Sequence, residues 1–218
     1  MAESMPVRLL GYYRSSTTYR TRIALNLKGI AFESIDVRLD RGAQHDDTFT
    51  QKNPMAAVPV LEIDGLELLQ SPAIIDYLEE HYPEPGLLPS DTAPRQRVRE
   101  LSALIGCDIH PVNNLRILQH LRAEFGADTE AIGAWNRHWM SKGFSAFEAL
   151  LNRTERTPGY CVGEDTTVAE CFLLPQLYNA RRFDVDLARY PGIVEIERRC
   201  LAERAFIDAH PDQFKPAD

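Results

Sequence analysis

A cluster of prolines divides the chain into two parts that differ in sequence pattern. Four prolines and a glycine fall within one short stretch: Pro83, Pro85, Gly86, Pro89 and Pro94. Proline lacks a backbone donor and fixes φ, so regular helices and strands rarely continue through such a stretch. Segments of this composition commonly form linkers between domains. We therefore predict a first domain over residues 1–84, a linker over residues 85–94 and a second domain over residues 95–218.

The first domain begins with the pattern of a strand, a helix and a second strand. Val7–Tyr12 and Ile30–Val37 are short apolar segments with strand character. Between them lies a helical pattern that Ser15 or Ser16 can cap and that ends at Gly29. Since a helix crosses over between the two strands, we expect them to pair in parallel.

A hairpin and another helix complete the first domain. They follow a polar segment, Leu39–Lys52, in which no regular pattern is visible. Asp64-Gly65 favours a tight turn, so Val58–Ile63 and Leu66–Leu69 are expected to pair as a hairpin. Ser71-Pro72 then opens a helix, with the serine as its cap and the proline in its first turn.

The second domain has helical patterns almost to its end. Two sets of apolar residues follow helical spacing: Val98, Leu101, Ile105 and Ile109, then Ile132, Trp135 and Trp139. Pro111 lies within the first of these helices and should bend or break it. Thr167 and Glu170 form a capping-box pattern in front of the apolar run Cys171–Leu174, which predicts a buried helix.

Composition excludes several classes of function. The 218 residues carry a formal net charge of −8, which argues against nucleic-acid binding and against an anionic membrane surface. We find neither a secretion signal nor an apolar run of membrane-spanning length, so a cytosolic protein is expected. The cysteines (Cys107, Cys161, Cys171 and Cys200) have no paired spacing, so we expect reduced, buried thiols and no metal site.

Several motifs, in order along the chain, resemble the zeta class of glutathione transferases. In the first domain they are Arg14-Ser-Ser-Thr-Thr-Tyr-Arg-Thr-Arg-Ile-Ala-Leu, Asn53-Pro-Met-Ala-Ala-Val-Pro-Val-Leu and Gln70-Ser-Pro-Ala-Ile-Ile-Asp-Tyr-Leu-Glu-Glu. The second domain adds Gly106-Cys-Asp-Ile-His-Pro-Val-Asn-Asn-Leu-Arg and Ala180-Arg-Arg-Phe. The resemblance covers nearly the whole chain. It implies an α/β thioredoxin-like, glutathione-binding N-terminal domain and an all-α, substrate-binding C-terminal domain, which together make the glutathione transferase fold.

The resemblance also implies an activity and a cofactor. The zeta class includes the maleylacetoacetate and maleylpyruvate isomerases, so we expect cis–trans isomerisation of maleylacetoacetate with glutathione as cofactor. The implied mechanism is addition of the glutathione thiolate to the double bond, rotation about the resulting single bond, and elimination. Most of the class carries a cysteine where this chain has Thr17, although some bacterial maleylpyruvate isomerases also have threonine there. This difference does not change the resemblance to the family, but it leaves the choice between maleylacetoacetate and maleylpyruvate open.

Site residues follow from the resemblance, position by position. The implied thiolate-stabilising group is Ser15, supported by Ser16 and Thr17; the implied glutathione-binding residues are Gln44, Val58, Pro59 (a cis proline), Gln70, Ser71, His110 and Asn114; the implied carboxylate-binding residues are Arg14, Arg116 and Arg182. The chemistry suits these types, since a helix start stabilises an anion and guanidinium groups suit carboxylates. Without the resemblance, the same residues would be interpreted as caps, core and surface arginines.

Partners and rival functions complete the sequence-based expectations. The resemblance implies a homodimer acting on a small dicarboxylate, with no nucleic acid and no membrane as partner. The nearest rival activity is maleylpyruvate isomerisation. Wider rivals are a general transferase or dehalogenase for small electrophiles and a catalytically silent binding protein. A thiol–disulfide reductase is disfavoured because no cysteine lies in the turn from Ser15 to Thr18.

Overall fold

The structure is a computed structural model that describes residues 6–153 and 159–216. The chain divides into two compact units. One contains the described residues up to Gly86 together with those from Glu203 onward, and the other runs from Leu87 to Ala202. The division near residue 86 falls at the proline cluster. The last residues of the chain, which the sequence pattern assigned to the second domain, lie in the first unit instead.

The first unit is a four-stranded sheet with helices. Its elements up to the proline cluster are β1 (Arg8–Gly11), α1 (Ser16–Leu27), β2 (Glu33–Asp36), α2 (Asp47–Lys52), β3 (Val60–Ile63), β4 (Leu66–Leu69) and α3 (Ser71–His81). The strand order is β2-β1-β3-β4. Strand β1 pairs in parallel with β2 and antiparallel with β3, and β3 and β4 form the predicted hairpin. The carboxyl end of β1 and the turn before β3 are the positions that matter for the site.

The core of the first unit explains why these segments take these forms. Leu9 and Leu61 face each other across the β1–β3 pair and are fully buried. Ile23 on α1 and Ile74 on α3 are also fully buried. Apolar residues at these spacings give each helix one face that must leave water, and burying a side chain of this size stabilises the fold by about 1.5–3 kcal/mol.

The polar segment Leu39–Lys52 is more regular than its sequence suggests. It contains two 3-10 turns, Leu39–Arg41 and Ala43–His45, followed by α2. Gly42 joins the two turns with a φ of 77°, a conformation that favours glycine. Phe49, the buried residue of α2, belongs to the apolar cluster that also contains Val58. Leu39 and Ala43 also pack against this cluster, so scattered apolar contacts rather than a repeating pattern hold this segment in place.

The second unit is helical throughout its described regular structure. Its elements are α4 (Thr92–Ala103), a π-helical turn (Leu104–Ile109), a 3-10 turn (Pro111–Asn113), α5 (Leu115–Phe125), α6 (Thr129–Leu151), α7 (Val168–Arg182) and α8 (Pro191–Cys200). Pro111 breaks the first helix as predicted. The predicted capping box is also present: Thr167 caps α7, and Glu170 accepts hydrogen bonds from the Thr167 N–H and hydroxyl at 2.7 Å each.

A short C-terminal helix, α9 (Arg204–Ala209), packs with α1 in the first unit. Arg22 of α1 donates from Nε to the Ala209 carbonyl at 2.9 Å, and Asn26 donates to the Ala205 carbonyl at the same distance. The Arg22 guanidinium also lies over the Phe214 ring. These contacts explain why the C-terminal residues join the first unit.

Two further observations concern the chain as a whole. Within residues 6–153 and 159–216, no helix combines the length and the apolar character needed to cross a membrane. All four cysteines are free thiols, and Cys171 and Cys200 are buried as expected. The expectation of burial was wrong for Cys107, which is exposed on the π-helical turn, and Cys161 is only partly buried.

Candidate functional site

Ser15 forms the N-terminus of α1. Its backbone is extended (φ −65°, ψ 124°), and its Oγ accepts a hydrogen bond from the Thr18 N–H at 3.3 Å, so it is the N-cap. Ser16 is the first helical residue and is partly exposed. The sequence allowed either serine to cap the helix, and the structure selects Ser15. The Ser15 hydroxyl therefore lies at the N-terminus of α1, where an anion is favoured.

Thr17 connects Ser15 to the turn before β3. Its Oγ1 lies 2.9 Å from Ser15 Oγ and donates a 2.9 Å hydrogen bond to the Val58 carbonyl. Val58 is buried, and the Val58–Pro59 peptide bond is cis. The structure therefore brings together Ser15, Thr17 and Val58, three of the residues that the sequence assigned to thiolate and glutathione binding.

The start of α3 differs from the sequence-based expectation. Ser71 does not cap the helix; it is the first helical residue, and Gln70 occupies the N-cap position with a φ of 64° and no side-chain cap. The Ser71 side chain is drawn inward instead, because its Oγ accepts a 2.9 Å hydrogen bond from Arg20 Nη1. Gln70 itself is exposed. Its left-handed backbone is strained for a residue with a side chain.

Gln44 lies in the second 3-10 turn and is buried, with 5% of its surface exposed. Its Oε1 atom has no hydrogen-bond partner among the described residues. Buried amide oxygens almost always accept a hydrogen bond, so an oxygen enclosed without a partner is unusual.

Arg14 is exposed at the end of the β1–α1 connection and lies over two tyrosine rings. Its guanidinium carbon is 5.8 Å from the Tyr12 ring centre and 5.3 Å from that of Tyr13. Arg14 Nη2 also donates to the Tyr12 hydroxyl at 3.4 Å. Burial raises the pKa of Tyr12 above its ordinary value, so the phenol stays neutral and the Arg14 charge is not cancelled by it. This cation is held in a defined position.

In the second unit, the structure brings together His110 and Asn114. Their side chains are linked between Nε2 and Nδ2 at 3.3 Å. Asn114 is the N-cap of α5, and its Oδ1 accepts from the Arg116 N–H at 3.2 Å. Arg116 lies on α5, which follows the break at Pro111. Its exposed side chain has no hydrogen bond or ion pair within the described part of the chain.

The adjacent arginines at the end of α7 have different surroundings. Arg181 forms an ion pair with Glu197 on α8. Arg182 is exposed, and its Nη1 donates to the Asn179 side chain at 3.2 Å. Since Arg181 already has a carboxylate partner within the protein, Arg182 is the better candidate for a carboxylate ligand.

Sequence reasoning missed two residues that contact the predicted site residues: Arg20, which binds Ser71, and Tyr12, which binds Arg14. Arg20 is 2% exposed and Tyr12 is 7% exposed. An arginine in the middle of a helix is normally exposed, so its residue type pointed away from burial. The sequence offered one signal: Arg20 and Tyr12 lie close in the chain to motif residues of the site. It did not show that Arg20 contacts Ser71 or that Tyr12 contacts Arg14.

Comparison with known proteins identifies the family. Residues 5–80 match the family model described as glutathione S-transferase, N-terminal domain. A maleylpyruvate isomerase of Ralstonia is 49% identical over 205 residues, covering 94% of this chain and 97% of the relative. The holo structure of a maleyl pyruvate isomerase, described as a bacterial glutathione S-transferase of the zeta class, matches with a TM-score of 0.94 and 48% identity. It covers 97% of this chain and 99% of that one. The chain belongs to the zeta class of the glutathione transferase family.

A second similar solved structure contains bound ligands. It is a maleylacetoacetate isomerase from Methylobacterium extorquens with bound malonate and glutathione. It matches with a TM-score of 0.91 and 36% identity, covering 96% of this chain and all of that one. The predicted fold, an α/β thioredoxin-like domain followed by an all-helical domain, is therefore confirmed.

Proposed function

We propose that this zeta-class protein is a glutathione-dependent cis–trans isomerase of maleylacetoacetate. One observation carries the proposal: the Ser15 hydroxyl at the start of α1 is joined through Thr17 to the Val58 carbonyl. This arrangement combines a donor for a thiolate with backbone groups suited to the peptide part of glutathione. Glutathione, when bound, supplies the thiolate nucleophile that the reaction needs.

The first unit supplies the residues that hold glutathione in this proposal. Ser15 stabilises the negative sulfur, and Val58 next to the cis proline Pro59 offers backbone groups to the cysteinyl part. Gln70 and Ser71 take the γ-glutamyl end at the start of α3, where the helix terminus favours a carboxylate. Gln44, at its position in the family motif, contributes a further contact to the tripeptide. In the second unit, His110 and Asn114 contribute a further polar contact.

Arginines hold the dicarboxylate substrate in this proposal. Arg14, Arg116 and Arg182 are all exposed, and a guanidinium can bind a carboxylate through two parallel hydrogen bonds. These contacts orient the substrate for addition of the thiolate, after which one end of the substrate moves as the former double bond rotates. The same cations stabilise the negative charge that develops in the transition state.

Maleylpyruvate is the second candidate substrate. The Ralstonia relative, at 49% identity, is named for that activity. The two substrates share the cis-unsaturated diacid and differ at one end. A homodimer, expected from the resemblance, and a cytosolic location, expected from the sequence pattern, are part of the same proposal. Light scattering on the purified protein tests the dimer.

The experiment is a side-by-side isomerisation assay on maleylacetoacetate and maleylpyruvate, with and without glutathione. We expect turnover only with glutathione, with no glutathione consumed, and the ratio of kcat/KM values names the substrate. Glutathione binding without turnover of either compound would contradict the proposal. Stable conjugates of small electrophiles, formed with loss of glutathione, would point to a general transferase.

A further inference from the structure

The hydroxyl of Thr17 fixes the direction of its hydrogen bond with Ser15. On distance alone, either oxygen of the 2.9 Å contact between Ser15 Oγ and Thr17 Oγ1 could donate. Thr17 has a single hydroxyl proton, and that proton is used in the 2.9 Å hydrogen bond to the Val58 carbonyl, which can only accept. The contact with Ser15 must therefore use the proton of Ser15.

The Ser15 hydroxyl is consequently already used both as a hydrogen-bond donor and as an acceptor. Its proton points toward Thr17, and its oxygen accepts the Thr18 N–H at 3.3 Å. Serine carries one donor proton, so the hydroxyl cannot keep its bond to Thr17 and donate fully to a bound thiolate as well. A thiolate that recruits Ser15 must first take its proton away from Thr17.

We propose that Thr17 is a positioning residue with two opposing effects on glutathione. It holds the Val58 carbonyl close to the start of α1, which favours binding of the tripeptide backbone. It also competes with the thiolate for the proton of Ser15, which limits how acidic the bound thiol becomes. This inference rests on the proposed role of Ser15 as the thiolate donor.

The cysteine found in most of the class would act differently at this position. A thiol is a weak donor and a weak acceptor compared with a hydroxyl. It would therefore hold Val58 less firmly and compete less for the Ser15 proton. Compared with cysteine, Thr17 therefore holds the Val58 carbonyl more firmly and leaves the thiolate of glutathione less stabilised by Ser15.

Substitution of Thr17 by valine tests both effects, because valine has nearly the same shape and no hydroxyl. The first measurement is the pKa of the thiol of bound glutathione, followed by thiolate absorbance during a pH titration. With the competitor removed, we expect this pKa to fall by about half a unit to one unit, the equivalent of one neutral hydrogen bond.

The second measurement is the affinity for S-methylglutathione, which has no ionisable thiol and so reports on the peptide site alone. We expect Thr17→Val to weaken this affinity about threefold to tenfold, the equivalent of one lost hydrogen bond. Thr17→Ser retains the hydroxyl and should match the wild type in both measurements. A structural disturbance alone would weaken affinity without making the bound thiol more acidic.

Thr21 provides the matched control. It is buried one turn further along α1, and its hydroxyl donates to the Thr17 carbonyl at 3.1 Å, away from Ser15 and Val58. Thr21→Val removes a hydroxyl of the same size from the same helix and should change neither measurement. If Thr17→Val does not fold, Thr17→Ala removes the same hydroxyl with less bulk and serves in its place.

The outcomes separate this inference from the proposed function. If the wild-type protein does not lower the thiol pKa of bound glutathione, Ser15 is not the thiolate donor and the proposed function fails. If the wild type lowers that pKa and Thr17→Val leaves it unchanged or raises it, the competition is overturned while the proposed function stands. In the double variant with Ser15→Ala and Thr17→Val, the thiol pKa of bound glutathione should not fall. Alanine has no hydroxyl proton to donate to the thiolate once Thr17 is replaced.

Discussion

Arg20 Nη1 donates a 2.9 Å hydrogen bond to Ser71 Oγ, and both side chains are almost completely buried. A cation on α1 thus lies directly behind the first residue of α3. Because a helix start already favours negative charge, the guanidinium adds to the attraction of this terminus for a carboxylate. Burial keeps the Arg20 charge poorly screened by solvent.

The first prediction concerns the role of this charge in glutathione recognition. Arg20→Met keeps most of the bulk and removes the cation, so we expect it to weaken glutathione binding about tenfold, which corresponds to an attraction of about 1.4 kcal/mol between the guanidinium and the γ-glutamyl α-carboxylate. Binding of 4-aminobutanoyl-cysteinyl-glycine, which lacks the γ-glutamyl α-carboxylate, should change by less than about twofold. Calorimetric titration with the two peptides measures the difference.

Arg22 is the control for the loss of a buried arginine from the same helix. It is 1% exposed and donates to the carbonyls of Ala209 and Tyr13, not to Ser71. Arg22→Met should lower stability while affecting the two peptides equally. Equal weakening of both peptides by Arg20→Met would show that Arg20 supports only the fold.

The second prediction concerns Lys28 at the end of α1. Its side chain is fully buried, forms an ion pair with Glu79, and donates from Nζ to the carbonyls of Tyr82 and Pro85 at 2.8 Å each. Lys28→Met would leave these acceptors without their donor, so we expect a loss of about 3–5 kcal/mol in the free energy of unfolding. Urea denaturation measures it.

Lys52 is the matched control for Lys28. It contacts two carboxylates, those of Glu62 and Glu67, but its side chain is 34% exposed. The pKa of Lys52 is raised, mainly because its ammonium donates to the Glu62 carboxylate. Lys52→Met should cost no more than about 1 kcal/mol, since water replaces the lost partner. Similar losses for the two variants would contradict the argument from burial.

Local patterns predicted much of the fold correctly. The Asp64-Gly65 turn, the break at Pro111 and the capping box of Thr167 and Glu170 were all predicted from neighbouring residues. Each depends on chemistry within a few positions, where sequence is most informative.

Long-range contacts account for what the sequence did not predict. Ser71 was expected to cap α3, but it is drawn inward by Arg20, which is 51 residues away. The C-terminal segment was assigned to the second domain, but Arg22 and Asn26 bind it to α1. The Ser15–Thr17–Val58 contacts lie at positions that the family resemblance identified, whereas their hydrogen-bond directions required the structure.

The third prediction is a pH dependence at the hairpin turn. Asp64 accepts hydrogen bonds from the hydroxyls of Tyr82 at 2.7 Å and Tyr77 at 2.8 Å. The bond to Asp64 raises the pKa of Tyr82 to about 12, and the bonds from Tyr82 and Tyr77 lower the pKa of Asp64. Asp64→Asn should return the Tyr82 pKa toward about 10, the ordinary value for tyrosine. Phenolate absorbance during an alkaline titration measures the Tyr82 pKa. The transition that disappears in Tyr82→Phe is the one that belongs to Tyr82.

The sign of the stability change follows from these two shifts. A neutral Tyr82 is favoured in the folded state, so its contribution is present below about pH 10 and is lost as the pH rises toward 12. An ionised Asp64 is favoured in the folded state, so its contribution is present above about pH 4 and is lost as the pH falls further. Asp64→Asn should abolish both dependences while retaining the turn, because asparagine also tolerates the left-handed backbone at this position. Unchanged alkaline unfolding in Asp64→Asn would contradict the assignment.

The fourth prediction compares two glycines of α6 that differ in their surroundings. A Cβ atom at Gly143 would overlap Cδ1 and Cγ1 of Ile109, which is buried and lies directly before His110. Gly143→Ala should therefore cost about 1–3 kcal/mol and displace the turn that carries His110. A Cβ at Gly133 would meet only the flexible end of Arg137, at 3.0 Å. Gly133→Ala should raise helix stability by up to about 1 kcal/mol. Thermal unfolding and glutathione affinity of the two variants test this contrast, and a Gly143→Ala protein as stable as Gly133→Ala would show that Ile109 has room to move.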